Sequence, residues 1–229
     1  IINDCSFDFK RSFLNSIIVQ TNHLKKNIKF EKNYHKRLEI LTALILCGLV
    51  FKEYEDNFNL GIKKLEKLVK NYFDEDGFPL SRNPSDLIYF TKFLILIKNC
   101  IKDAQKYVPN FLDDLIEKSL FCIKNISTPN NLIPLFNGGI EENLSELEKF
   151  ISKLNYKSKN KKKLIGGIQI LKNRNSSIFF DVGEPPKKNF SSTYQAGPLS
   201  FEYYLDNEKI ITNCGFGSNI SSKAELLSR

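Results

Sequence analysis

Several residue types are absent or scarce in this chain of 229 residues, and each absence excludes some classes of protein or of binding site. Methionine is absent and the first residue is Ile1, so the chain lacks an initiator and we expect a fragment or a processed product. The N-terminal segment has neither the basic start nor the long apolar stretch of a secretory signal. The longest apolar run, Ile40 to Phe51, is too short to cross a bilayer, which needs about 20 residues. We therefore predict no transmembrane segment.

Cysteine and histidine are also few. The chain has five Cys, an odd number without a CxxC pair, and only two His, at His23 and His35. Cys47, Cys100 and Cys122 lie in apolar helical runs, where a free Cys behaves as a small apolar residue. The pattern argues against a disulfide framework and against a zinc site. We predict no metal and no cofactor.

Arginine is scarce relative to lysine, with 5 Arg and 29 Lys among the 34 basic residues, and the formal net charge is +8. Nucleic-acid-binding proteins commonly use Arg to contact phosphates and guanines. The lysines here are scattered along predicted helix faces, so we predict no nucleic-acid partner. The positive charge is compatible with attraction to an anionic polymer such as a uronate polysaccharide.

The first two-thirds of the chain predicts helices. Apolar residues recur at helical spacing in six segments, and Pro84 is suited to the first turn of the fourth. The six segments are Phe7 to Phe30, Asn33 to Glu53, Glu55 to Phe73, Pro84 to Gln105, Asn110 to Ile126 and Glu141 to Leu154. Short connections between helices of this length predict antiparallel hairpins, arranged as a bundle or as an incomplete α/α toroid.

The last third predicts short strands instead. A polar, basic segment at 155–163 is the best candidate for a linker between domains. After it, alternating residues and turn residues predict two hairpins. The four predicted strands are Gly167 to Leu171, Ser177 to Val182, Leu199 to Leu205 and Lys209 to Asn213. Helices followed by antiparallel strands indicate an α+β chain: a multi-helical domain over 1–154, then the start of an antiparallel β-sandwich domain over 164–229.

Four stretches carry a resemblance to a known family. They are DGFPLSRNPSDL (Asp76 to Leu87), PLFNGG (Pro134 to Gly139), FFDVGEPP (Phe179 to Pro186) and YQAGPLSFEYYLDNEKIITNCG (Tyr194 to Gly215). In this order and at these separations they resemble the heparinase II/III family, especially a branch common in alphaproteobacteria. The resemblance covers most of the chain, and the last stretch is its most specific part.

The resemblance implies polysaccharide lyase chemistry on an anionic polysaccharide or oligosaccharide. In that reaction a base removes the C5 proton of a uronic acid, a neutralising group binds the adjacent carboxylate, and the C4 glycosidic oxygen leaves. Donors must stabilise the developing enolate-like charge, and a Tyr or His beside the sugar supplies base and acid. The resemblance also places the protein in the cell envelope or periplasm.

Six residues carry the implied site. Asn22 and His23 resemble a pair that touches the uronate carboxylate, and Tyr89 stands one turn beyond a position where active relatives have a Tyr; we predict that these three are catalytic. Arg82, Gln195 and Glu202 are predicted to bind the substrate. Structural alternatives stay open: a surface polar pair for Asn22 and His23, an edge of the core for Tyr89, a loop tether for Arg82, and a solvated sheet face for Glu202.

The sequence also departs from the pattern of active relatives. Asp86 stands where the relatives often have the Tyr, 193–197 lacks their His-x-His-x-Asp, and Asn213 replaces a metal-binding Asp. Gln and Asn are poor metal ligands, so the usual metal site is predicted to be absent. The alternative function is therefore a non-catalytic relative that binds glycan or supports assembly of the cell envelope.

Overall fold

A computed structural model describes residues 6–145, 147–149, 162–191, 194, 197, 199–215, 217 and 220–228. Five long helices come first: α1 (Phe7–Asn27), α2 (Tyr34–Val50), α3 (Glu55–Tyr72), α4 (Pro84–Asp103) and α5 (Asn110–Ile126). They confirm the first five predicted helices. The sixth predicted helix, Glu141 to Leu154, falls largely outside the described residues. Within the described part of the chain, no helix has the length and apolar character needed to span a membrane.

Two of the helices begin at residues whose side chains cap them. The Ser6 hydroxyl accepts a hydrogen bond from the Phe9 backbone N–H at 3.3 Å, and the Asn33 side chain accepts one from the Lys36 backbone N–H at 3.1 Å. Such caps satisfy backbone donors that have no partner within the helix. The polar residues before the first apolar turn therefore set where α1 and α2 begin.

The second part of the chain forms a five-stranded antiparallel sheet in sequence order. Its strands are β1 (Leu164–Ile165), β2 (Ile168–Lys172), β3 (Ser176–Asp181), β4 (Phe201–Leu205) and β5 (Glu208–Ile211). The turn before β5 has positive φ at Asp206 and Asn207, the geometry of a tight hairpin turn. Both predicted hairpins are confirmed.

The final stretch, which the sequence analysis includes in the β domain over 164–229, contains a helix. A short helix, α6 (Ser222–Ser228), lies there. The Ser221 hydroxyl accepts a hydrogen bond from the Ala224 backbone N–H at 3.1 Å and caps its first turn. This local cap favours helix over strand at a point where the sequence has no strand alternation.

The chain divides into two compact units. The first contains Ile1–Asn71 and Ile95–Pro109, and the second contains Tyr72–Leu94 and Asn110–Arg229. The predicted linker at 155–163 lies mostly outside the described residues, so that boundary stays a prediction.

The first unit is centred on α2. Leu38, Leu41, Leu44 and Ile45 are fully buried along it. Helix α3 approaches α2 closely at Gly48, where an added Cβ would lie 2.3 Å from the Phe58 backbone nitrogen. Only glycine allows the two backbones to come this near.

The second unit contains the sheet, whose strands alternate between a buried and a more exposed face. On β3 the buried positions are Ser177, Phe179 and Asp181, and on β4 they are Glu202 and Tyr204. Two carboxylates thus point into the buried face. A buried charge is tolerated only when it is paired or hydrogen-bonded, so each carboxylate needs donors from elsewhere in the chain.

Candidate functional site

The loop between α3 and α4 carries the best-defined polar geometry in the second unit. The Asp74 side chain accepts hydrogen bonds from the backbone N–H groups of Asp76 at 3.0 Å and Phe78 at 2.8 Å, and this closes the turn at the start of the loop. Arg82 follows with a positive φ of 58°. Its backbone carbonyl accepts a hydrogen bond from the Asn137 side chain at 3.1 Å, so the loop is also held by the PLFNGG segment.

The Arg82 side chain is buried and forms an ion pair with Asp181 on β3. The remaining guanidinium contacts are to backbone carbonyls on either side of the β2–β3 hairpin. They are Gly166 at 3.0 Å, Gly167 at 3.3 Å, Gly183 at 3.2 Å and Glu184 at 2.9 Å. We call this set of six residues the Arg82 clamp. Charge-assisted contacts of this kind fix an Arg plane in one orientation, so Arg82 ties its loop to the sheet. Direct substrate binding by Arg82 stays a prediction.

A second buried cluster surrounds Asp86, at the position where active relatives often have a Tyr. Its carboxylate accepts hydrogen bonds from the hydroxyls of Tyr72 and Ser81, both at 2.6 Å. All three residues are at least nine-tenths buried. Asp86 therefore joins the end of α3 to the first turn of α4.

Glu202 is fully buried, so the expectation of a solvated face is wrong. Its carboxylate accepts four hydrogen bonds, from the backbone N–H groups of Leu135 and Asn213 and from the hydroxyls of Thr212 and Tyr204, at 2.9–3.3 Å. The Lys209 ammonium lies 3.8 Å away. Burial, followed by the charge of Glu202, raises the pKa of the Tyr204 hydroxyl, which keeps that group protonated as a donor. The prediction that Glu202 binds substrate is not tested by these contacts, which show what holds the carboxylate in place.

Tyr194 is a candidate that the sequence argument did not select. Burial raises the pKa of its hydroxyl; the Asp181 carboxylate raises it further, and the Arg82 guanidinium opposes the change. Tyr194 is thus electrostatically coupled to the Arg82 clamp and remains a protonated donor at neutral pH. The neighbouring Gln195 lies outside the described residues. The one sequence feature that could have pointed to Tyr194 is its place within 193–197, the segment that departs from the pattern of the relatives.

The three predicted catalytic residues occupy two different units. Asn22 and His23 are exposed near the end of α1, in the first unit. Tyr89 lies on α4 in the second unit, half-buried, with its ring 5.0 Å from that of Phe93. Asn22 and His23 are consecutive residues of α1, and Tyr89 lies among aromatic side chains. Their catalytic roles stay predictions.

Asn213, which stands where the resemblance implies a metal-binding Asp, contacts Glu202. The Asn213 backbone N–H donates to Glu202, and its side-chain amide nitrogen is buried without a partner among the described residues. Among those same residues, no group of three or more His, Cys, Asp or Glu is arranged to hold a metal ion. The polar groups at the end of β5 serve to hold Glu202.

Family models match the whole length of the chain from residue 3 onward. The family model for the heparinase II/III N-terminus matches residues 3–163, more than half of the chain, and the model for the heparinase II/III-like C-terminal region matches residues 159–229. The chain belongs to the heparinase II/III family. No protein of curated function matches this heparinase II/III chain significantly.

Solved structures with the same fold include a heparinase III, with a TM-score of 0.78 at 16% identity over 95% of this chain and 40% of that one. A heparan sulfate lyase, HepC from Pedobacter heparinus, gives 0.76 at 16% identity over 95% of this chain and 38% of that one. A further heparinase III gene product gives 0.72 at 20% identity over 92% and 37%. These matches show the fold: an incomplete helical toroid followed by the start of a β-sandwich, as predicted. This heparinase II/III chain spans about two-fifths of the length of those structures.

Proposed function

We propose that this chain is part of a polysaccharide lyase-type protein that cleaves a uronic-acid-containing anionic glycan by β-elimination. Membership of the heparinase II/III family over residues 3–229 carries the proposal. The formal net charge of +8 supports it, because a cationic protein attracts an acidic polymer. On this proposal the protein acts in the cell envelope or periplasm, which fractionation of cells would test.

In the proposed reaction, Asn22 and His23 act on the uronate of the substrate. The Asn22 amide donates a hydrogen bond to the carboxylate and so stabilises the charge that develops when the C5 proton is removed. The His23 imidazole is a suitable acceptor for that proton, because a neutral imidazole nitrogen is a base. Both side chains are exposed on α1 and so are accessible to a sugar.

A tyrosine supplies the proton for the departing C4 oxygen in the proposed reaction. Tyr89 stands one turn beyond the position where the resemblance implies a Tyr, and Tyr194 is a second candidate, whose pKa burial raises. A protonated phenol can donate to a leaving oxygen, whereas a phenolate cannot. The Tyr89→Phe and Tyr194→Phe variants distinguish the two residues, since the one that acts as acid loses turnover and the other does not.

The test measures the ultraviolet absorbance of unsaturated uronates when the gene product that contains this chain is mixed with heparan sulfate, alginate or glucuronan. We expect product from at least one of these glycans and its loss in His23→Ala, because that variant removes the proposed base. His35→Ala is the matched control, since it removes the other histidine. Binding without product on every acidic glycan would refute the lyase proposal and favour the non-catalytic relative.

A further inference from the structure

The first unit contains an open cleft of about 510 Å³ between the start of α3 and the segment that follows α4. Phe58 and Ile62 of α3 and Pro109 provide its apolar surface, and Tyr107 forms one wall. The Tyr107 side chain is 75% exposed, which is unusual for a residue with so much apolar surface. An exposed aromatic wall beside an apolar floor is suited to a flat, amphipathic ring.

Most of the charged groups that line the cleft are held in ion pairs. The Lys106 ammonium is ion-paired with Glu55 and lies 5.0 Å from the centre of the Phe58 ring. The hydrogen bond from Lys106 and its charge lower the pKa of Glu55, so this carboxylate stays ionised. The Glu66 carboxylate is held by Lys70 at 2.6 Å. Both acidic groups of the cleft are therefore neutralised locally.

Lys63 differs from these residues. It lines the cleft and is exposed, and among the described residues it has no ion-pair partner. Asn59, one turn earlier on α3, is also exposed and offers an amide donor and acceptor. The cleft thus combines one uncompensated positive charge with an amide and an aromatic wall.

The cleft is separate from the proposed uronate site. Asn22 and His23 lie in the last turns of α1, which leads directly into the N-terminus of α2, whereas the cleft begins just beyond the C-terminus of α2. The 17 residues of α2 correspond to a length of about 25 Å. The two sites therefore lie towards opposite ends of the same helix, within one compact unit.

We infer that this cleft is an accessory binding site for a sugar ring that carries an anionic group, a carboxylate or a sulfate. The pyranose face packs on Tyr107, the Lys63 ammonium pairs with the anion, and Asn59 bonds a hydroxyl. The inference rests on the proposed function for the identity of the glycan. A second sugar site on one chain holds a polymer by multivalent attachment while the reacting unit is bound elsewhere.

The experiment measures binding by isothermal titration calorimetry in an Asn22→Ala, His23→Ala background, which removes the proposed primary site. The probes are a heparan sulfate hexasaccharide, a glucuronan hexasaccharide and a neutral cello-hexasaccharide. We expect Tyr107→Ala to weaken binding of the preferred acidic probe about tenfold, and Tyr107→Phe to retain it, because the ring supplies the contact.

Lys63→Ala tests the charge. We expect it to weaken binding of the acidic probe and to reduce the dependence of that binding on salt, while Lys67→Ala, one turn along the exposed surface of α3, leaves both unchanged. Thermal unfolding of each variant establishes that it is folded. We expect every variant to fold, because the substituted side chains are exposed.

Two results would overturn the inference: equal affinity of the background protein and its Tyr107→Ala form, or no binding of any acidic probe to that background. Equal affinity for the neutral and acidic probes would also overturn the assigned anionic group. Failure of the proposed lyase function is distinguishable, because it appears as absent unsaturated product while binding that depends on Tyr107 persists.

Discussion

The Arg82 clamp predicts a large loss of stability when its acidic member is removed. The side chains of Arg82 and Asp181 are only 10% and 2% exposed, so in Asp181→Ala the guanidinium stays buried but loses the charged partner that it has among the described residues. Removing one partner of a buried ion pair typically costs about 3–5 kcal/mol, because the other charge is left uncompensated. The four backbone carbonyls still accept from Arg82, so we expect a value near the lower end, about 3 kcal/mol.

Urea unfolding monitored by circular dichroism measures this loss. With a denaturant slope of about 2 kcal/mol per molar, a loss of about 3 kcal/mol lowers the unfolding midpoint by about 1.5 M. Lys92→Ala is the control in the same unit, because its ion pair with Glu142 lies 3.3 Å apart at the surface and its lysine is 56% exposed. Such an exposed pair contributes at most about 1 kcal/mol.

Two further variants separate the charge from the shape of the clamp. Asp181→Asn keeps an oxygen acceptor near Arg82, so its loss should be smaller than that of the Ala variant. Combining Arg82→Ala with Asp181→Ala should cost less than the sum of the single changes, because each single change leaves the other group unpaired. An Asp181→Ala variant no less stable than Lys92→Ala would refute the clamp as a stabilising contact.

Three other variants or probes test separate features. Gly167→Ala should destabilise the fold more than Gly215→Ala, as measured by urea unfolding midpoints. Both positions have positive φ, but a Cβ at Gly167 would lie 2.6 Å from the Arg82 guanidinium, whereas a Cβ at Gly215 would lie 3.9 Å from its nearest atom. Iodoacetamide at about pH 8 should label the exposed Cys214 and not Cys122, because burial raises the pKa of Cys122 to about 12. Mass spectrometry locates the label, and modification of Cys122 in the native protein would contradict the prediction. Burial raises the pKa of Asp74, so the folded form holds its proton more tightly and stability declines as pH rises through the window above 3.8. Asp74→Asn should lose that decline. If the free energy of unfolding depends on pH in the same way with and without this substitution, Asp74 is not the cause of the decline.

Local patterns in the sequence were sufficient for the regular elements. The apolar spacing predicted α1 to α5, with Pro84 at the start of the fourth, and the turn at Asp206 and Asn207 predicted the second hairpin. Both signals act within a few residues. The two-residue strand β1 was missed because so short a strand shows no alternation, and α6 was missed because its cap lies in a stretch with no helical apolar face.

The polar site was harder to predict, because its contacts join distant parts of the chain. Alternation around Glu202 placed its side chain opposite Phe201 and Tyr203, which is correct, but the polar side of the strand is the buried side. The reason is that Glu202 accepts hydrogen bonds from Leu135, 67 positions earlier, and from Thr212 and Asn213, just after β5. Arg82 was selected by resemblance, yet its partners lie up to 102 positions away. A pattern of neighbouring residues contains no information on such pairs.

The long span of the Arg82 clamp also has a kinetic consequence. Contacts that close loops of 84 to 102 residues are expected to form late in folding, because the entropy cost of closing the loop comes before the contacts contribute. Interactions absent from the transition state slow unfolding without speeding folding. We therefore expect loss of the Arg82 guanidinium to speed unfolding of the second unit, and to leave its refolding rate to the helices and hairpins.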